Sequence, residues 1–221
     1  KALKINPNYY DAYLSIGVYD YIAGSLPFGY RIMATMVGVR GNKKRGISRL
    51  QSIIDNNAPT ADDARILLVA IFRNEKRYDE ALALLDQLCS KYPRSYLLKL
   101  ERASALVTLK RLDEAYAVFE SLLKDPVAAS ARDLIHYQYA EALARNLEHK
   151  RAAAEFAAVC QLEKSDSSLA TISRLRAAQM YDLAGNRQEA LAQYKEVLSR
   201  PNVYDTRQQA ERGLIRPFMG K

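Results

Sequence analysis

The sequence predicts an all-α fold, an α-solenoid built from antiparallel helix pairs, and three observations predict it. A phrase with a small residue early, a leucine or aromatic four residues on and usually a closing proline occurs four times. It reads YDEALALLDQLCSKYP from Tyr78, LDEAYAVFESLLKDP from Leu112, KRAAAEFAAVCQLEK from Lys150 and RQEALAQYKEVLSRP from Arg187. Its anchoring alanines, Ala81, Ala115, Ala152 and Ala190, are spaced by 34, 37 and 38 residues, a period typical of stacked helical repeats. Twelve residues before each anchor stands another compact residue: Val69, Ala103, Ala140 and Ala178. Two helices approach to the short end of the ~8–10 Å range only where both offer a small side chain, so each pair of compact residues marks one helix-on-helix crossing.

The elements follow in chain order. KALKINPNYY reads as the end of one helix, a turn closed by Pro7 and the start of another helix over about 8–23, with Tyr13, Ile16 and Gly17 at its packing positions. With no initiating methionine, this opening is expected to lie inside a longer array, any targeting segment falling upstream. KKRGISRLQSIIDNN, 43–57, fits as the partner helix. Between them, about 25–41, lies an insert. Phe28, Ile32, Met36 and Val39 recur at i, i+4, i+8 and i+11, and Met33 and Val37 broaden the stripe, so a short amphipathic helix over about 28–39 is predicted. Gly24 suits the end of the preceding helix and Pro27 the start of the new one, with Gly38 and Gly41 at its exit. In an alternative register the insert helix is itself the first helix of a repeat, with Gly46 at the small position.

The four regular repeats occupy 60–202, after an atypical N-terminal repeat over 1–59. The longer second and third steps put extra residues into turns near 127–132 and 165–168, the latter, SDSS, supplying N-cap chemistry. A polar helix over about 203–216 then reads as a terminal cap, with a tail to 221, and Gly213 and Pro217 weaken its end.

This grammar resembles the tetratricopeptide repeat (TPR) family over about two thirds of the chain. Small residues fall at repeat positions 8 and 20, bulky ones (Phe72, Leu106, Leu143 and Tyr181, then Leu85, Phe119, Phe156 and Tyr194) at 11 and 24, and proline near 32. The tryptophan usual at position 4 is replaced by Arg65, Lys99, His136 and Arg174. The resemblance implies a right-handed superhelix. The N-terminal stretch is similar to a signature of the tetratricopeptide repeat 39 family and related bacterial TPR proteins. The matching residues are Ser25, Leu26, Pro27, Gly38, Gly41, Gly46, Ile47 and Leu50, with Asn42 and Lys43 where family members often carry Asp. That likeness implies a bacterial protein, of the cytoplasm or exported to the envelope, and no catalytic residues.

Composition narrows the function classes. No stretch approaches the ~18 apolar residues of a membrane span. The formal net charge is +8, and the window from Tyr21 to Ile54 contributes six cations and no acid: Arg31, Arg40, Lys43, Lys44, Arg45 and Arg49. Arg40, Lys43, Lys44, Arg45 and Arg49 are therefore candidates for docking on an anionic surface. A membrane is one such surface; nucleic acid is disfavoured. The run from Gly38 to Gly46 lacks both the spacing of a phosphate-binding P-loop and a preceding strand. His136 and His149 have no partner at metal-ligand spacing, no nucleophile arrangement appears, and neither cofactor nor metal is expected. Two cysteines, Cys89 and Cys160, form no disulfide framework and read as small buried hydrophobes.

The TPR resemblance implies that first helices line a concave groove. In that register the lining includes Arg73, Asn74, Glu101, Ser104, Tyr137, Gln138, Glu141, Arg145, Arg176, Gln179 and Asp182. The carboxylate clamp of some TPR co-chaperones would require cationic and amide side chains where Ile66, Ala70, Leu100 and Ser104 stand, so an acidic chaperone tail is not supported. The sequence therefore points to a non-enzymatic scaffold binding a peptide or partner helix.

Overall fold

A computed structural model describes Asn6 and residues 9–162 and 166–220. The expected closing Pro7, the helix start at Asn8 and the first residue of the Ser165 turn lie outside the described residues. Those described form twelve α-helices, one 3-10 helix and no strand. Packing divides the chain into two compact units, Lys1–Leu109 and Lys110–Lys221.

In the first unit, α1 (Ala12–Ser25) pairs with α3 (Lys43–Asp55), and α2 (Phe28–Met36) interrupts them. Then come α4 (Ala61–Asn74), α5 (Tyr78–Lys91) and α6 (Tyr96–Thr108), each packed on its predecessor. Leu50, Ile53, Leu68 and Leu85 are buried at the centre. Asp11 accepts from the backbone N–H and hydroxyl of Thr60, at 3.0 and 2.6 Å, tying the starts of α1 and α4 together.

The first pair meets through two glycines. A Cβ on Gly46 would lie 2.6 Å from the Gly17 carbonyl oxygen and 2.7 Å from the Tyr21 nitrogen. Gly17 and Gly46 thus make the small-on-small crossing of the first repeat, 29 residues apart where the later repeats use 12. The additional residues leave and return at one point. A Cβ on Gly24 would sit 2.6 Å from the Lys43 nitrogen, and one on Gly41 would sit 2.5 Å from the Gly24 nitrogen. Gly24 and Gly41 therefore form a closed neck beneath the insert, which no side chain would permit.

The second unit runs α7 (Leu112–Lys124), a 3-10 helix (Pro126–Ala131), α8 (Arg132–Arg145), α9 (His149–Val159), α10 (Ser167–Leu183), α11 (Arg187–Leu198) and α12 (Thr206–Ile215). The 3-10 turn takes up the extra residues expected near 127–132. Asp166 caps α10 by accepting from the N–H groups of Ser168 and Leu169, both at 2.9 Å. Phe119, Leu122, Ile135, Leu143, Phe156 and Tyr194 fill the core. In α12, Gly213 serves packing: it is buried with the Tyr194 ring against it, in the space a side chain would occupy.

Within the repeats, all eight compact positions, Val69 to Ala190, are buried. In three of the four repeats, the position left without tryptophan is filled by polar pairing to the second helix of the same repeat. Arg65 donates to Gln87 at 3.1 Å, His136 Nδ1 lies 2.7 Å from Glu155, and Arg174 reaches Gln193 at 2.8 Å and Glu196 at 3.1 Å. Both cysteines are free thiols, and burial pushes both up from the ordinary value.

Candidate functional site

In the first unit, α4, α5 and α6 enclose an apolar hollow of about 290 Å³ lined by Ile66, Val69, Ala70, Leu85, Leu88 and Leu98, with Arg73 and Glu101 at its rim. Its form follows from the repeat pattern. Val69 is compact where α4 must approach α5, and the exposed Ala70 beside it is small enough to leave the hollow open. Arg73 and Glu101, from successive first helices, form an ion pair across the rim. Ile66 stays half exposed. A second apolar hollow, about 380 Å³, lies against Leu14, Ser15, Val18 and Tyr19 of α1 and Leu67 of α4.

A further hollow of this unit, about 800 Å³, is of mixed character and lined by residues including Asp62, Arg65, Gln87 and Lys91. Its charges serve one another: Asp62 accepts from Lys91, Tyr92 and Arg65. The Lys91 ammonium and Tyr92 hydroxyl hold its carboxyl below the usual range.

The remaining expected groove residues fall in varied settings. Asn74 is exposed and donates to the Tyr21 hydroxyl at 2.8 Å, and Ser104 is partly buried. In the second unit Glu141 pairs with Arg176 at 2.8 Å. The Arg176 guanidinium lies 5.4 Å from the centre of the Phe156 ring, which Tyr137 meets edge-on at 5.5 Å. Burial pushes the Tyr137 phenol up. Gln138 is partly buried and Arg145 is exposed at the end of α8.

Gln179 is buried, donating to Gln209 of α12 at 3.0 Å and accepting from Arg176 at 3.3 Å. The Asp182 side chain is wholly enclosed. It accepts from Arg187, from the Tyr194 hydroxyl at 2.9 Å and from the Phe218 N–H at 2.8 Å. These two side chains hold α12 and the following tail, which their place in the repeat could not reveal, and neither presents its polar group to solvent.

The basic window acquires acids in space that it lacks in sequence. Asp20 of α1, its side chain 2% exposed, accepts from Arg45 at 2.6 and 3.0 Å and also pairs with Arg49. Arg45 in particular holds the Asp20 carboxyl below the carboxylate range, against the opposing pull of burial. Lys43 pairs with Glu75 at 2.7 Å, and the Tyr21 hydroxyl donates to the same carboxylate at 2.9 Å. Asn42 caps α3 by accepting from the Arg45 N–H at 2.9 Å. Three of the five anionic-surface candidates, Lys43, Arg45 and Arg49, are thus paired within the unit, the two arginines sharing the one charge of Asp20. Arg40 and Lys44 are exposed and form no ion pair among the described residues.

The insert helix has no buried residue. Phe28, Tyr30, Met33, Met36 and Val37 are between 66% and 81% exposed, and Ile32 44%. Of the predicted stripe, Phe28, Ile32 and Met36 therefore face solvent, while Val39, half-buried, lies beyond the helix, which ends at Met36 and not at 39. No helix among the described residues is long and apolar enough to cross a membrane, and no cluster of side chains that could hold a metal occurs among them.

Comparison with known proteins bears on the fold and the family. The crystal structure of TTC0263, a thermophilic TPR protein of Thermus thermophilus, is similar with a TM-score of 0.50 at 18% identity, over 94% of this chain and 100% of that one. The fold is accordingly the TPR-like α-solenoid. No curated protein matches in sequence. The Iml2/Tetratricopeptide repeat protein 39 profile matches residues 16–212, from the first helix pair through the insert and all later repeats. With its fold and nearly its whole length thus accounted for, the chain belongs to the Iml2/Tetratricopeptide repeat protein 39 family.

Proposed function

We propose that the protein is a non-enzymatic interaction scaffold that seats an apolar side chain of a peptide or partner helix in the hollow between α4, α5 and α6. The TPR fold is in general a non-catalytic repeat scaffold for protein–protein contact. The observation that carries the finer reading is the hollow itself: about 290 Å³, apolar on its floor and edged by a charged pair. Burying one leucine- or phenylalanine-sized side chain there contributes about 1.5–3 kcal/mol, and the Arg73–Glu101 rim offers one donor and one acceptor to a peptide backbone. Tyr137, Gln138, Glu141, Arg145 and Arg176 are proposed as polar contacts on the first helices of the second unit.

The test is selection of peptides from a displayed library on the purified protein, followed by affinity measurement. Recovered peptides should carry large apolar residues at helical or alternating spacing. Ala70→Glu, which places a charge in the exposed lining of the hollow, should weaken them by about tenfold or more, a change of about 1.4 kcal/mol or greater. Peptides that bind Ala70→Glu and Ile66→Asp as well as the parent would overturn the reading.

A further inference from the structure

We propose that the insert is a membrane-docking element, whose helix α2 lies in the surface of a bilayer rich in anionic phospholipid. The orientation of α2 is the first ground. At about 100° per residue, Phe28, Ile32, Met36, Met33 and Val37 share one broad arc, while Arg31 and Ala34 lie opposite and Thr35 at its edge. Ala34 is the half-buried residue of the helix, and every other residue, the whole apolar arc included, is exposed. In an ordinary surface helix the apolar arc faces the core. Here the apolar arc is left uncovered.

Charge is the second ground. Asp20 and Glu75, the acids that face the window in space, are bound to Arg45, Arg49 and Lys43. What remains exposed around the apolar arc is cationic: Arg31, Arg40 and Lys44. No acid occurs between Tyr21 and Ile54 to repel a layer of phosphates. An arc of flexible methionine, phenylalanine and valine with few directional groups suits acyl chains, and flanking cations suit their headgroups, the combination that holds amphipathic helices in the interface. Nucleic acid would use the cations and leave the apolar arc in water. A second copy of the chain would set like charges face to face.

The experiment is co-sedimentation of the purified protein with lipid vesicles, either neutral phosphatidylcholine alone or with about 30% phosphatidylserine, an anionic content that attracts basic segments. Binding is expected to the anionic vesicles and to weaken as salt is raised from about 0.05 M to about 0.5 M, where the Debye length falls severalfold. The double change Phe28→Ser with Met36→Ser should lose at least tenfold. Arg40→Glu with Lys44→Glu should lose a similar factor, since each cation near such a surface is worth about fivefold. All four residues are exposed, so both variants should keep the parent's circular dichroism and melting temperature.

The inference stands apart from the peptide hollow, and Ala70→Glu should bind vesicles as the parent does. Three outcomes overturn it: no preference for anionic over neutral vesicles, equal binding by the Phe28/Met36 variant, or a sedimentation-velocity dimer of the parent that this variant dissociates. Competition by duplex DNA that is unaffected by the Phe28/Met36 change would likewise assign the cations to nucleic acid.

Discussion

Gly46 shows how much a single missing side chain decides. A Cβ there would meet the Gly17 carbonyl oxygen at 2.6 Å and the Tyr21 nitrogen at 2.7 Å, both backbone atoms that cannot rotate away. Gly46→Ala should therefore cost about 2–3 kcal/mol, the upper range of overpacking, read as a lowered urea midpoint. Gly29, in the exposed α2, meets nothing within 4 Å. Gly29→Ala should leave the midpoint unchanged or raise it slightly, by the ~0.5–1 kcal/mol that alanine gains over glycine in a helix. Equal midpoints for the two variants would refute the close-approach account. At this scale the sequence was only partly legible. Gly24 and Gly41 read as punctuation, since glycine marks both a helix end and a close approach, and nothing linear separates the two. Asp20 was hidden for a similar reason: it precedes the acid-free window by one residue, and its pairing depends on the turn of α1 that aims it at Arg45 and Arg49.

Among the helical elements, the repeat turns share a feature that the compact-residue spacing did not reveal. The residue between the two helices of a repeat adopts left-handed backbone at Lys76 (φ 60°), Lys110 (φ 61°), Leu147 (φ 63°) and Gly185 (φ 78°). Only one of the four is glycine. Left-handed backbone costs a residue with a side chain roughly 1–2 kcal/mol, offset in part by the ~0.5–1 kcal/mol of chain entropy that glycine loses on folding. Leu147 is exposed, so Leu147→Gly should stabilise by about 0.5 kcal/mol and raise the melting temperature by about 1–2 °C; a fall would show that its side chain contributes packing. The polar residues at repeat position 4 are the second such feature. In place of tryptophan, Arg65, His136 and Arg174 find Gln87, Glu155 and Gln193 on their partner helices. The helices were legible because packing against a neighbour imposes a local period. The partners of these side chains were not, because 19 to 22 residues separate them. The insert was legible as an amphipathic helix, whereas the direction of its apolar arc depends on how the neck turns the chain.

Across the whole molecule, the charge pairs predict the response to pH. Asp20, Asp62, Glu75 and Glu80 are each held below their usual values chiefly by hydrogen bonds from Arg45, Lys91, Lys43 and Arg77 respectively. Glu148 is also lowered: burial opposes ionisation, but Tyr116, Asn146 and Arg151 together outweigh it. A carboxyl depressed in the folded state adds stability above its unfolded value, about 4, and loses it as pH falls through the folded value. The melting temperature should thus be flat between about pH 5 and 7 and fall below about pH 4. Asp20→Asn should lower the plateau and shallow the acid limb; an unchanged limb would mean that Asp20 is not linked to folding. At the alkaline end, Tyr116 is pushed up to about 12, by burial first and then by its bond to Glu148. Its contribution is complete below the ordinary tyrosine value of about 10 and is lost as pH rises through the folded one. The order of repeats was legible in the spacing of alanines, whereas the division at Leu109 and Lys110 was not, since the 34-residue step from Ala81 to Ala115 runs through it undisturbed.

The neck at Gly24 and Gly41 has an evolutionary consequence. Because the chain departs and rejoins at nearly one point, whatever lies between can lengthen, shrink or change character while the crossing of Gly17 on Gly46 stays in register. The first repeat is then a socket, and residues 25–40 a cassette that related chains could exchange to change what they attach to without re-evolving the scaffold. Closing so short a gap demands little of the chain, because loop entropy grows only slowly with length. A chain in which Gly24 is joined directly to Gly41 should keep the parent's helical circular dichroism and urea midpoint; cooperative unfolding at a much lower midpoint would show that the cassette is part of the socket after all.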